Sequence, residues 1–100
     1  MAARRLKITD TARDDLAAIW VYIAADSDAL ADRFIDEIEA RFFPLLDYPE
    51  SGADRSALAP GIRVTFCRKY AIYYTHSHEN VTILRVVHDA QDVAALFRDL

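Results

Sequence analysis

Four cations and a histidine stand out for what their types and spacing could do: Arg63, Arg68, Lys69 and Arg85, with His88 three residues beyond the last. Two chemistries fit them. Cations can hold the charge that develops on phosphate, and a histidine titrating near neutrality can move a proton. Together those are the parts needed to cleave RNA by attack of a 2′-hydroxyl. Gathered into one basic patch from neighbouring strands, the same cations would instead receive the carboxylates of an acidic segment that folds on contact. A plainer reading is that they line solvated edges and turns, where lysine and arginine discourage strand pairing. Docking is preferred for Arg63 and Arg85, and the solvated edge for Arg68 and Lys69, which share a turn.

Other candidates are weaker. His88 follows an apolar strand and precedes Asp92 by four residues, but its sequence neighbours offer no tyrosine or second base. It reads as a structural histidine at a strand end rather than an acid–base group. Tyr70, Tyr73 and Tyr74 match inward positions, yet adjacent strand residues face opposite ways. One of Tyr73 and Tyr74 must therefore leave the core and is a candidate binding anchor. Trp20 reads as core. His76-x-His78-Glu79 has metal-ligand types on a turn without a distant third ligand, so neither a metal nor any other cofactor is expected. Cys67 lies beside Arg68 and Lys69, which favour a thiolate, but no base accompanies it, and it reads as a small strand-end residue.

The strand that must position Arg85 and His88 is Val81-Thr82-Ile83-Leu84-Arg85-Val86-Val87-His88. Simple alternation puts Val81, Ile83 and Val87 on one face and Leu84 and Val86 on the other, so the strand should be covered on both sides. Arg85 interrupts it, either reaching a rim or meeting an acidic partner. Ile62–Phe66 and Tyr70–Tyr74 precede it as alternating strands joined by tight turns, an antiparallel meander. Upstream, Leu6-Lys7-Ile8 forms a short first strand, and Thr9-Asp10-Thr11 supplies N-caps for a helix with its stripe at Leu16, Ile19, Trp20 and Ile23. After Asp26-Ser27-Asp28 a second helix carries Ala31, Phe34, Ile35, Ile38, Phe42 and Leu45 on one side, interrupted at Pro44. Pro49–Gly61 is read as one long mobile loop, and Val93, Leu96, Phe97 and Leu100 as a short terminal helix.

The fold class is thus α+β over a single domain, residues 1–100. An N-terminal strand and an antiparallel helix hairpin pack on a small antiparallel sheet (β-α-α-β-β-β), with a short C-terminal helix. That last helix is too short to cover the second sheet face, which leaves Tyr70, Tyr74, Leu84 or their neighbours open to a partner. The apolar content, 53%, supports a real core, and no apolar run approaches the roughly 20 residues of a membrane span. A basic start without an apolar stretch and a single cysteine point to a cytoplasmic protein. Net charge is −4, divided unevenly: residues 10–50 carry eleven acids and three bases, residues 51–88 five bases and two acids. An acidic chain is a poor general binder of nucleic acid, while its basic sheet half should seek an acidic polypeptide.

Several motifs resemble the ParE branch of the RelE/ParE toxin superfamily. They are Ala12-x-x-Asp15-Leu16-x-x-Ile19-x-x-Tyr22-Ile23, Pro49-x-x-Gly52, Pro60-Gly61-Ile62-Arg63, Arg68-Lys69-Tyr70-x-Ile72-x-Tyr74 and Ile83-Leu84-Arg85-Val86-Val87-His88. They occur in register along nearly the whole chain. The resemblance implies the toxin of a type II toxin–antitoxin pair, held in a hetero-oligomer by a ParD-like ribbon-helix-helix antitoxin whose tail folds around it. It implies DNA gyrase as the target and inhibition without catalysis. The residues proposed to meet antitoxin or target are Arg63, Arg68, Lys69, Tyr70, Tyr74, Arg85 and His88. One departure is Gln91, where members often carry an arginine. Two alternatives stand beside this reading. One is ribosome-dependent mRNA cleavage of the RelE type, which the acidic balance of the chain disfavours. The other is a degenerate toxin that retains only antitoxin binding.

Overall fold

The structure, a computed structural model, describes residues 3–89 and 93–98. Strand β1 (Arg5–Ile8) leads into helices α1 (Asp10–Ala24), α2 (Asp28–Ala40) and the four-residue α3 (Pro44–Asp47). Strands β2 (Ala53–Asp54), β3 (Arg63–Cys67), β4 (Tyr70–His76) and β5 (Asn80–His88) follow, and then α4 (Val93–Leu96). The sheet order is β1-β5-β4-β3-β2. The meander is antiparallel as expected, but β1 joins β5 in parallel, so the sheet is mixed. The chain leaves β1 through a helical crossover and returns to its side only with the last strand, which permits a parallel pair that no hairpin could make.

Local chemistry sets the helix ends. Thr9 accepts a hydrogen bond from the Ala12 amide through its hydroxyl, and Ser27 does the same for Leu30, satisfying amides that lack a partner within the helix. Pro44 has no N–H and stands at the start of α3, just past the end of α2, as its chemistry allows. The hairpin stripe covers one face of the sheet, where Ile19, Ile38, Phe42 and Leu45 pack on Ile72, Tyr74, Val81, Ile83 and Val86.

Three expectations about the sheet are corrected. First, alternation along β5 does not run through. Tyr73 pairs with Arg85 but Tyr74 with Ile83, so Leu84 is the extra residue of a bulge. Inserting one residue reverses the facing of all that follow: Val86 joins the hairpin side, while Leu84 and Val87 join the opposite cluster. Second, that opposite face is not open. Leu58 and Ala59 of the long loop fold over it together with Val93, Leu96 and Phe97. Third, the loop contains regular structure, with β2 paired on Val64 and Arg63 and the Arg55 amide bonded to the Ile62 carbonyl at 2.8 Å. Gln91, Asp92 and Leu100, which entered the sequence reading, lie outside the described residues.

Candidate functional site

The β3–β4 turn, Arg68-Lys69, and the end of β5 meet beside the α1–α2 hairpin. Cross-strand pairing sets Tyr70 opposite His88, and their rings stack edge to face with centroids 5.5 Å apart. Phe34 of α2 lies against the other side of Tyr70, also at 5.5 Å. The result is a groove of about 520 Å³, floored by Ile23, Phe34 and Tyr70 and bordered by Tyr22, Arg68 and Lys69. Tyr22 is 77% exposed, a large aromatic surface offered to whatever enters. Burial, with the Tyr22 phenol nearby, raises the Tyr70 pKa above its ordinary value, so the phenol stays neutral across physiological pH. The His88 Nδ1 lies 3.3 Å from an oxygen of Asp89. The tyrosine absent from the sequence neighbourhood of His88 is thus supplied across the strand pair.

On the other side of the Tyr70–His88 pair is a shallower cleft of about 300 Å³, lined by Asp15, Ile19 and Arg85 as well as by those two rings. Here Arg85 is held. Its Nε and Nη2 donate to the two carboxylate oxygens of Asp15 at 2.8 and 2.9 Å, and the Val86 amide donates to the same carboxylate at 3.0 Å. Asp15 works where β1 has run out. The register of β1 on β5 ends at Ile83, and beyond it Thr9 donates its hydroxyl to the Leu84 carbonyl while Asp15 receives Val86. The first turns of α1 therefore replace the missing strand along this edge. The hydrogen bonds that Arg85 donates to Asp15 raise the pKa of its guanidinium further.

The single basic patch expected of Arg63, Arg68, Lys69 and Arg85 does not form. Arg85 is neutralised by Asp15. Arg68 donates from Nε and Nη2 to Glu37 at 2.9 and 3.2 Å. Arg63 serves the distant loop, donating to the carbonyls of Gly52 (2.8 Å) and Glu50 (3.3 Å). Each guanidinium found a nearer acceptor within its own chain, and two of the three, Arg68 and Arg85, pair with acids of the helical half. The charge segregation legible in the sequence is thus partly an internal complementarity between helices and sheet.

Tyr74 and Tyr73 are corrected as open contact residues. Tyr74 is fully buried; its hydroxyl donates to the Pro49 carbonyl at 2.8 Å and accepts from the Gly52 amide at 2.9 Å. That explains the Pro49-x-x-Gly52 motif, because a Cβ on Gly52 would come within 2.7 Å of the Val64 carbonyl and collide with the Tyr74 hydroxyl. Tyr73 faces the opposite way, as adjacency demands, but is covered by Phe97, with ring centroids 5.0 Å apart. Trp20 is half-buried and donates to Asp32. Cys67 is buried. Among the described residues no three His, Cys, Asp or Glu side chains are grouped to hold a metal ion.

Of the seven candidate residues, Arg68, Lys69, Tyr70 and His88 share the groove, Arg85 lies across the aromatic pair from it, and Arg63 and Tyr74 lie under the loop. Sequence reasoning missed Asp15, Glu37, Tyr22 and Phe34 as parts of the site. Tyr22 carried a usable signal, since it is an aromatic one position off the apolar stripe of α1.

This fold, a helix hairpin laid on a mixed sheet, is shared with solved structures from toxin–antitoxin systems. A chain of the chromosomal ParDE toxin–antitoxin system of P. aeruginosa superposes with a TM-score of 0.73 at 25% identity, covering 86% of this chain and 96% of that one. A chain of the toxin–antitoxin complex RelBE2 of Mycobacterium tuberculosis shares the fold, with a TM-score of 0.62 at 22% identity over 87% of this chain and 99% of that one. The model of the ParE toxin of the type II toxin–antitoxin system parDE matches residues 6–93. Toxin ParE3 of Caulobacter vibrioides is 33% identical over 66 residues, which span 66% of each protein, just under two thirds. The chain belongs to the ParE toxin family of type II toxin–antitoxin systems.

Proposed function

We propose that this toxin acts by binding alone, inhibiting DNA gyrase, and that a ParD-like ribbon-helix-helix antitoxin neutralises it in a hetero-oligomer. The observation that carries the non-catalytic part is the commitment of Arg85. A nuclease would need cations set around His88 for the charge developing on phosphate; Arg85, three residues away on the same strand, has its Nε and Nη2 bonded to Asp15 instead. Arg63 serves the 49–52 turn, and Arg68, which borders the groove with Lys69, pairs with Glu37. An aromatic and aliphatic groove edged by cations fits an acidic polypeptide segment. The ParDE system among its structural relatives supports a ParD-like partner, and the absence, among the described residues, of a helix long and apolar enough to cross a membrane accords with a cytoplasmic site of action.

A second reading, mRNA cleavage of the RelE type, draws on the contact between Tyr70 and His88 and their shared cleft with Arg85. One pair of assays separates the two. Added to gyrase, the purified toxin should block plasmid supercoiling and accumulate cleaved plasmid, and leave a translated message intact. Unaffected supercoiling at high toxin excess, with codon-specific cuts in the message that disappear on Arg85→Ala substitution, would replace the first reading by the second.

A further inference from the structure

Past Phe34, the Tyr70 groove continues into a second cleft of about 310 Å³ that contains Leu30, Arg33 and Glu37, and Ile23, Phe34 and Arg68 line both. The two form one trough, and Arg68, paired with Glu37, lines both parts of it. Leu30, at one end, is 51% exposed. Arg68 has a φ of +55°, the one positive value among described residues other than glycine. That region is costly for a long side chain and favours glycine or asparagine. The bond of Arg68 to Glu37 contributes little to folding, because the side chains are 66% and 39% exposed and water competes for both. A bidentate geometry that adds little stability is well suited to exchange.

We infer that Glu37 is a placeholder for the antitoxin. In the free toxin it occupies, with its own carboxylate, the position on Arg68 that a carboxylate of the antitoxin takes in the complex. The inference rests on the toxin–antitoxin reading above and adds the chemistry of the partner. The occupant is a segment with aliphatic or aromatic side chains for the Ile23, Phe34 and Tyr70 floor and an Asp or Glu for Arg68. Charge complementarity selects an acidic segment, since Arg33, Arg68 and Lys69 border the trough. As the partner carboxylate arrives, that of Glu37 turns out to water, so the number of guanidinium–carboxylate pairs is conserved. Apolar burial then supplies the net drive. Glu37 lowers the affinity by the amount its own pair with Arg68 is worth.

The test is calorimetric titration of the purified product of the small reading frame adjacent to the toxin gene into four toxins: wild type, Glu37→Gln, Arg68→Gln and the double variant. Thermal melts establish that each is folded. Glu37→Gln should bind about twofold tighter than wild type, the size of a weak exposed pair released from competition. Arg68→Gln should bind roughly tenfold weaker, and Glu37→Gln should add nothing in that background. A Glu37→Gln toxin that binds equally or less tightly, while wild type binds well, overturns the placeholder and leaves the toxin–antitoxin reading standing. Failure of the wild type itself to bind overturns both.

Discussion

Two ion pairs join the acidic helices to the basic sheet, and they differ in almost everything but geometry. Both are bidentate guanidinium–carboxylate pairs of nearly equal length. Asp15–Arg85 is mostly enclosed, its side chains 14% and 17% exposed, and the carboxylate also receives a backbone amide. Glu37–Arg68 stands in solvent at the border of a groove. Enclosure makes breaking the first pair costly, because an unpaired charge is stranded away from water. Exposure makes the second nearly free to break. One pair holds the hairpin to the sheet where β1 ends; the other leaves a cation available to a partner. The contrast shows that pair geometry by itself does not distinguish a structural arginine from a binding one.

The largest expected effect is at the enclosed pair. Asp15→Ala strands Arg85 and frees the Val86 amide, and should cost about 3 kcal/mol. That corresponds to roughly 15 °C in Tm for a domain of this size, read by thermal denaturation. A loss of only a degree or two would place Asp15–Arg85 in the same class as Glu37–Arg68.

Next is the loop clamp. Tyr74→Phe leaves the Pro49 carbonyl and the Gly52 amide without their shared partner and should cost about 2 kcal/mol. The same residue gives a pH signature. Burial raises the Tyr74 pKa above its ordinary value of 10.0, so the neutral phenol is favoured by folding. That contribution is fully present below pH 10 and is lost as pH rises through the folded-state pKa. Denaturant titrations should show wild type losing stability above pH 10 more steeply than the Tyr74→Phe variant, although Tyr70 and Tyr73, also raised by burial, add to both slopes. Identical slopes would remove Tyr74 from that account.

Glu37→Gln should produce the smallest change, a Tm within about two degrees of wild type at neutral pH. The Glu37 pKa is lowered, first by its hydrogen bond with Arg68. Its small contribution is therefore present above the ordinary pKa of 4.5 and fades as pH falls through the depressed value. A clear loss of stability at neutral pH would give this pair a structural role.

The hairpin was legible because its stripe repeats along both helices, and Thr9 and Ser27 stand where caps must be. The meander was legible from alternation and turn spacing. The bulge at Leu84 was not, since one inserted residue leaves composition unchanged while reversing every later side chain. Nor were the partners of the arginines. A strand arginine seeking a carboxylate was readable at Arg85, but eleven acids in the helical half gave no means of choosing Asp15. The groove was half legible: Arg68, Lys69, Tyr70 and His88 came from strand ends, whereas Phe34 looked like ordinary core and its ring contact with Tyr70 exists only once the layers stack. Leu58 and Ala59 carried too little apolar character for the loop to be read as a cover over the second face.

The most direct measurement is a pair of amide and side-chain NMR spectra of the isotope-labelled toxin, with and without the product of the adjacent reading frame. Binding through the groove should move or protect Tyr22, Phe34, Arg68 and Tyr70, and leave the Arg85 Nε resonance bonded to Asp15 as before. Changes centred on Arg85 and Asp15, with Tyr22 and Arg68 undisturbed, would contradict the division of labour between the two pairs.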